Sequence, residues 1–177
     1  LLFPVSEEIA GAIRASFEPL KQRPVLPRHE QVGGIVILQD DDPAGAEAIL
    51  KERPSVHTAL IAESGVEGEF RTKRFRVLAG LQTTATTVTE YGQTFSVDLE
   101  RAYFSARLAS ERQRVLAMMQ DGEEVLDMFA GVGPFAIILA RRAAVVWACD
   151  LNPGAVSLLT DNIRINRISN IVPILGD

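Results

Sequence analysis

Apolar positions change rhythm partway along this chain. Over residues 1–104 they fall in short runs broken by prolines, glycines and acidic clusters. The pattern predicts a helix over Glu7–Phe17, then an extended connector at Arg23-Pro24-Val25-Leu26-Pro27, where proline excludes helix interior. Gly34-Ile35-Val36-Ile37-Leu38 predicts a strand. Asp42 as N-cap and Pro43 at the first helical position predict a helix to about Arg53, with Ala46, Ile49 and Leu50 on one face. Thr58–Ile61 and Phe75–Leu78 read as strands, and Thr86–Thr89 pairs with Phe95–Leu99 across a turn at Tyr91-Gly92. Phe95, Val97 and Leu99 then alternate onto one face.

From residue 105 the repeat lengthens. Leu108–Met119 predicts a helix capped by Ser105 or a neighbour, with Leu108, Val115, Met118 and Met119 toward the core. After Asp121-Gly122 the order is strand Val125–Met128, helix Pro134–Arg142, strand Val145–Cys149, helix Pro153–Asn166 and strand Ile171–Leu175. Strands joined through helices become parallel neighbours, so this part predicts a Rossmann-like, doubly wound sheet. The expected class is α/β: a small α+β domain over residues 1–104, then the N-terminal part of a nucleotide-binding domain over 105–177. The sheet is expected to be incomplete at its C-terminal side, as in a fragment of a longer protein. There is no internal repeat or low-complexity segment.

Composition narrows the function classes. With 47% apolar residues over 177 positions, a sizeable core can be buried. No apolar run reaches the roughly 20 residues of a membrane-spanning helix. Leu1-Leu2-Phe3-Pro4-Val5 lacks the basic flank and length of a signal peptide, so a cytoplasmic monomer without a membrane partner is expected. The single cysteine, Cys149, lies in an apolar run and is expected as a buried strand residue; no disulfide or multi-cysteine metal site is expected. A formal net charge of -5 argues against a protein that coats nucleic acid through overall positive charge. RNA contact must be local, and Arg71-Thr72-Lys73-Arg74-Phe75-Arg76, with Arg101, Arg107, Arg112 and Arg114 further on, is where the cations gather.

The chemistry concentrates in Asp127-Met128-Phe129-Ala130-Gly131-Val132-Gly133-Pro134-Phe135, a strand end, a glycine turn and a helix start. Gly131 and Gly133 leave room for a ligand at the carboxyl edge of a parallel sheet. Asp150 ends the next strand 19 residues after Gly131, near the spacing at which a carboxylate meets ribose hydroxyls. The loop formally fits a dinucleotide pattern, so NAD and S-adenosylmethionine both come into question. Pro134 removes a backbone donor that a pyrophosphate would use, and Asp127 adds negative charge that suits an ammonium and a sulfonium. S-adenosylmethionine is therefore the expected cofactor. Asp177, after the third parallel strand, is placed to accept from the adenine amino group.

Several stretches together resemble the archaeal and eukaryotic tRNA guanine-N1 methyltransferases that modify the guanine 3′ of the anticodon. They are Gly68-Glu69-Phe70-Arg71-Thr72-Lys73-Arg74, Val77-Leu78-Ala79-Gly80, Tyr103-Phe104-Ser105-Ala106-Arg107-Leu108-Ala109-Ser110-Glu111-Arg112, the loop Asp127–Phe135 and Asp150-Leu151-Asn152-Pro153. The resemblance implies a class I methyltransferase domain preceded by a domain that helps position the tRNA anticodon region. It implies Glu111 as general base toward guanine N1, Arg71 as the cation at O6, and Tyr103, Phe129 and Leu151 as residues beside the cofactor. Guanine N1 carries a proton and is a poor nucleophile, so a base and a cation at O6 suit the reaction. By residue type alone, Glu111 is a helix-surface acid and Arg71 a solvated strand cation. Tyr103 and Trp147 read as core, and His29 and His57 match nothing catalytic. The sequence departs from the family at Ala106, where proline is usual, and lacks the later Asn-Pro-Pro-Tyr-type motif and the separate N-terminal domain. Aminocarboxypropyl transfer from the same cofactor is the nearest rival, disfavoured by Arg107-Leu108. A non-catalytic RNA-binding fragment and an NAD oxidoreductase are the others.

Overall fold

The structure, a computed structural model, describes residues 25–65, 68–70 and 72–176. The expected helix over Glu7–Phe17, Arg71 and Asp177 lie outside the described residues. A four-stranded sheet comes first, in the order β1 (His29–Val32), β2 (Ile35–Leu38), β3 (Thr58–Ala62), β4 (Phe75–Gly80), with α1 (Pro43–Glu52) crossing between β2 and β3. Strand β1 was not foreseen; its sequence, His29-Glu30-Gln31-Val32, has no strand signature of its own. It folds back through the Gly33-Gly34 turn to pair antiparallel with β2. Asp42 caps α1, its carboxylate accepting from Gly45 N–H at 2.8 Å, with Pro43 at the first turn.

The two faces of this sheet serve different partners. Val36, Leu38 and Ala59 pack with Ala46 and Ile49 of α1. Ile35 and Leu60, one position out of phase, enter the larger core that runs on to Ile171. The period-two alternation of β2 thus links α1 to the rest of the molecule.

Next comes the hairpin β5 (Ala85–Glu90) and β6 (Gln93–Asp98). Its turn residues Tyr91 and Gly92 both have positive φ, 47° and 82°, the conformation of a two-residue hairpin loop. A single 3₁₀ turn, Ala106–Leu108, leads into α2 (Ala109–Met118). Ser105 precedes that turn without a side-chain capping bond. The parallel sheet follows as β7 (Glu124–Asp127), β8 (Val145–Asp150) and β9 (Ile171–Leu175), with α3 (Pro134–Leu139) and α4 (Pro153–Ile165) between them. This is the expected β-α-β-α-β order.

Both helices cover the same face, where Val146, Ala148 and Ile171 are buried. On the other face Leu126, Trp147 and Val172 align as one rung across the sheet and are exposed. Trp147 is therefore not a core residue, and Cys149, expected buried, is half-buried. Leu108 and Met118, expected toward the core, are exposed as well, while Met119 is buried. The helix face that reaches the core instead carries Arg112, 1% exposed.

Candidate functional site

Chain direction places one end of each parallel strand at the same edge. There β7 ends in Asp127 and β8 in Asp150. The loop 128–133 returns over that edge through Gly131 (φ 55°) and Gly133 (φ 90°). Asp150 holds it in place: one carboxylate oxygen accepts from Gly131 N–H at 2.7 Å and the other from Asn152 N–H at 2.9 Å. Asn152 in turn caps α4 by accepting from Gly154 N–H at 2.8 Å, and donates to the Arg101 carbonyl at 2.6 Å.

These elements bound a cavity of about 740 Å³. Of the residues expected at a cofactor, Tyr103, Phe129, Gly131, Asp150 and Leu151 line it. Phe129 is 83% exposed and Tyr103 65%, so neither is a core residue. A side chain at Gly131 would meet only the Tyr103 carbonyl, at 3.8 Å, so the backbone there is open to approach. Gly133 is different. A Cβ there would run into Leu159 of α4, so this glycine serves helix packing and lies outside the lining.

Asp127, at the end of β7, is half-buried and outside the cavity lining. Burial pushes its carboxyl above the ordinary value of 3.8 and the nearby Asp150 charge adds to this, while the backbone N–H groups of Phe129 and Ala136 pull the other way. Its Oδ2 is buried without a hydrogen-bond partner. Glu111 is half-buried on α2, outside the cavity lining, and bound to Arg114 through contacts of 2.6 and 2.8 Å. The Arg114 hydrogen bond holds its carboxyl below the ordinary 4.5, against a smaller opposing effect of desolvation.

The sequence did not point to the residue at the cavity floor. Arg112 binds Glu90 through two contacts, 3.0 and 2.8 Å, and donates to the Ser105 carbonyl at 2.9 Å. Its guanidinium lies 5.6 Å from the Phe104 ring and 5.7 Å from the Phe135 ring. The signal was a pair of charges at apolar positions. Arg112 interrupts the stripe Leu108, Val115, Met119, and Glu90 follows Thr86 and Val88 on the inward side of β5.

A second cavity of about 210 Å³ shares Tyr103, Phe104 and Ser105 with the first and is also lined by Lys73 and Arg107. Arg107 pairs there with Glu30 at 3.1 Å. Among the described residues no helix is long and apolar enough to cross a membrane, and no group of three or more His, Cys, Asp or Glu is placed to hold a metal.

Residues 86–177 match the TRM5/TYW2 methyltransferase domain. A tRNA (guanine(37)-N(1))-methyltransferase Trm5b of Pyrococcus abyssi is 38% identical over 100% of this chain and 61% of its own length. The crystal structure of Trm5b from that organism superposes with a TM-score of 0.85 at 37% identity, over 98% of this chain and 60% of its own. A complex of aTrm5 with tRNALeu gives 0.79 at 37% identity, covering 85% and 47%. More distant is a tRNA(Phe) (4-demethylwyosine(37)-C(7)) aminocarboxypropyltransferase of Methanocaldococcus jannaschii, 32% identical over 85% of this chain and 61% of its own. A TYW2 structure from the same organism, in complex with AdoMet, has a TM-score of 0.63 at 28% identity, covering 85% and 57%. The chain thus spans about three-fifths of the length of the Pyrococcus abyssi relative.

Proposed function

The chain belongs to the TRM5/TYW2 methyltransferase family, and from that premise we propose that it serves S-adenosylmethionine-dependent methylation of tRNA at N1 of the guanine 3′ of the anticodon. The observation that carries this is the carboxyl edge of the parallel sheet, where Asp150, Gly131, Phe129 and Leu151 meet around one cavity. The greater likeness to a relative named for methyl transfer, 38% against 32% for the aminocarboxypropyltransferase, favours the methyl reaction.

The residues present fit the cofactor. Asp150 would hold the ribose hydroxyls, Phe129 and Leu151 would flank the adenine, and Asp177 would accept from its amino group. Gly131 gives the backbone approach, and Tyr103 closes the wall toward the second cavity. Asp127, with its unpartnered Oδ2, would supply negative charge near the cationic part of the molecule. Gly133 contributes through loop shape rather than contact. When bound, the cofactor supplies an electrophilic methyl group on a sulfonium.

The chain's own residues do the remainder. Glu111 takes the proton from N1 as general base, and Arg71 offsets the charge that grows on O6. Glu111 is held by Arg114 in this structure, so the base role requires that ion pair to open when the guanine arrives. Lys73 and Arg107, beside Tyr103 in the second cavity, give the RNA strand a local cationic approach on an otherwise acidic protein. The small α+β domain then positions the anticodon region.

The test is mass spectrometry of tRNA nucleosides after incubation of the full-length protein with unmodified tRNA and S-adenosylmethionine. The expected product is 1-methylguanosine next to the anticodon. An aminocarboxypropylated base overturns the proposal in favour of aminocarboxypropyl transfer, and binding without any modification overturns it in favour of a non-catalytic RNA-binding module.

A further inference from the structure

We propose that Asn162 of α4 is a positioning residue for the cofactor loop, joining the β5–β6 hairpin and the glycine turn into one body. The inference rests on the cofactor assignment above. Among the described residues strand β6 has a strand neighbour on one edge alone, and α4 lies along the other. A helix cannot continue a sheet ladder with its own backbone, because that backbone is bonded within the helix.

Two asparagines one helical turn apart take the place of the missing strand. Asn166 accepts from Thr94 N–H at 2.8 Å and donates to the Thr94 carbonyl at 2.6 Å. Asn162 does the same for Ser96, accepting at 2.6 Å and donating at 3.0 Å. The spacing matches on both sides, since residues two apart on a strand face one way and residues four apart on a helix share a face.

The third bond of each side chain differs: Asn166 donates to the Asn162 carbonyl at 2.7 Å, within its own helix, whereas that of Asn162 leaves the helix. The Asn162 carboxamide nitrogen also donates to the Val132 carbonyl at 2.9 Å, within the glycine loop. Both amide hydrogens and the oxygen are therefore engaged, in a side chain that is 0% exposed. The same helix sets Leu159 against Gly133, so α4 fixes two consecutive loop residues, one by packing and one by hydrogen bonding. The Val132 carbonyl shares its peptide plane with the Gly133 N–H, which donates to the Ala130 carbonyl at 2.8 Å and closes the turn around Gly131, whose own N–H meets Asp150 at the cavity wall. Asn166 shares the hairpin bonds but has none to the loop, and this makes it the internal comparison.

Asn162→Ala and Asn166→Ala should both lower the unfolding midpoint. Only Asn162→Ala should weaken S-adenosylhomocysteine binding in calorimetry, by roughly 5- to 30-fold. It alone should speed hydrogen exchange at the Gly131 and Gly133 amides, while Asn166→Ala leaves both readouts within about 2-fold of wild type. If alanine at 162 prevents folding, Asn162→Asp replaces it in the same comparison. Aspartate fills the same volume and keeps the acceptor for Ser96 but offers Val132 no amide donor. Equal losses of affinity in the two variants, or unchanged loop exchange in the Asn162 variant, overturn the proposal. A wild-type protein that does not bind S-adenosylhomocysteine refutes the cofactor assignment, and the exchange comparison then decides the role of Asn162 by itself.

Discussion

Asp127 and Glu111 are both carboxylates assigned to the chemistry, and their surroundings push them in opposite directions. Burial raises Asp127, so its ionised form opposes folding. The cost is absent at low pH, where the group is protonated folded and unfolded alike, and grows as pH rises above the ordinary 3.8 toward the higher folded value. Asp127→Asn keeps the shape and removes the charge. We expect it to raise the urea midpoint at neutral pH and to weaken S-adenosylhomocysteine binding by roughly tenfold or more. A variant less stable than wild type, or one that binds equally well, contradicts the role given to that charge. Glu111 is lowered by Arg114, so its pairing favours the fold above the ordinary 4.5 and is lost as pH falls through the folded value. The pair is exposed enough that this contribution to stability is small. Its effect on chemistry is not: Glu111→Gln should slow single-turnover methylation by roughly 10²- to 10⁴-fold with little change in cofactor affinity. Arg114→Met should move the acidic limb of the kcat/KM–pH profile, which reports the free enzyme in which the pair is closed, upward, because Glu111 then titrates nearer its ordinary value. An unmoved limb would mean that Glu111 is not the base.

Among the elements, those written in local chemistry were legible from sequence. Asp42 and Pro43 at the start of α1, the Tyr91-Gly92 turn and the β-α-β-α-β order each depend on residues close in the chain. Strand β1 was not legible because its strand character comes from pairing with β2. Nor was the exposure of Trp147, since an apolar strand residue carries no mark of which sheet face its helices will cover. Helix α2 shows the same limit. Its apolar positions Leu108, Val115, Met118 and Met119 predict the inward face; Met119 is buried and Val115 packs on the core, yet Leu108 and Met118 are exposed and Arg112, bound to Glu90 from the hairpin 22 residues earlier, is buried instead. Removing one member of a buried pair strands the other charge, so Arg112→Met should cost about 3–5 kcal/mol in urea unfolding. Arg112→Met combined with Glu90→Leu should recover much of that loss. If the double variant is as unstable as the sum of the two single ones, the pair is not coupled and the floor of the cavity is held by the Phe104 and Phe135 rings instead.

At the scale of the whole molecule, the change of rhythm near residue 104 suggests two units, while the packing joins them. One apolar cluster runs from Val32, Ile35 and Leu60 through Phe95 and Val97 to Val132, Ile137, Val146 and Ile171. The hairpin is the bridge: it meets the first sheet through Thr86, whose hydroxyl accepts from Gly34 N–H at 2.9 Å, and meets α4 through Ser96. Phe95 lies in the middle of that bridge, 0% exposed and with its ring centroid 6.2 Å from that of Phe104. A shared core of this kind leaves neither part able to open without exposing apolar surface of the other, so thermal unfolding should be one cooperative transition. Trp147 is the single tryptophan and stands on the parallel sheet, so its fluorescence reports that sheet, whereas far-UV circular dichroism reports every element. The two curves should coincide for the wild-type protein. Phe95→Ala should cost about 3–5 kcal/mol, as for a large ring lost from a core, and should move both curves together. A biphasic dichroism curve with a single fluorescence step would show that the two parts unfold separately. The hairpin would then belong energetically to one of them, and the part whose step Phe95→Ala shifts would identify which.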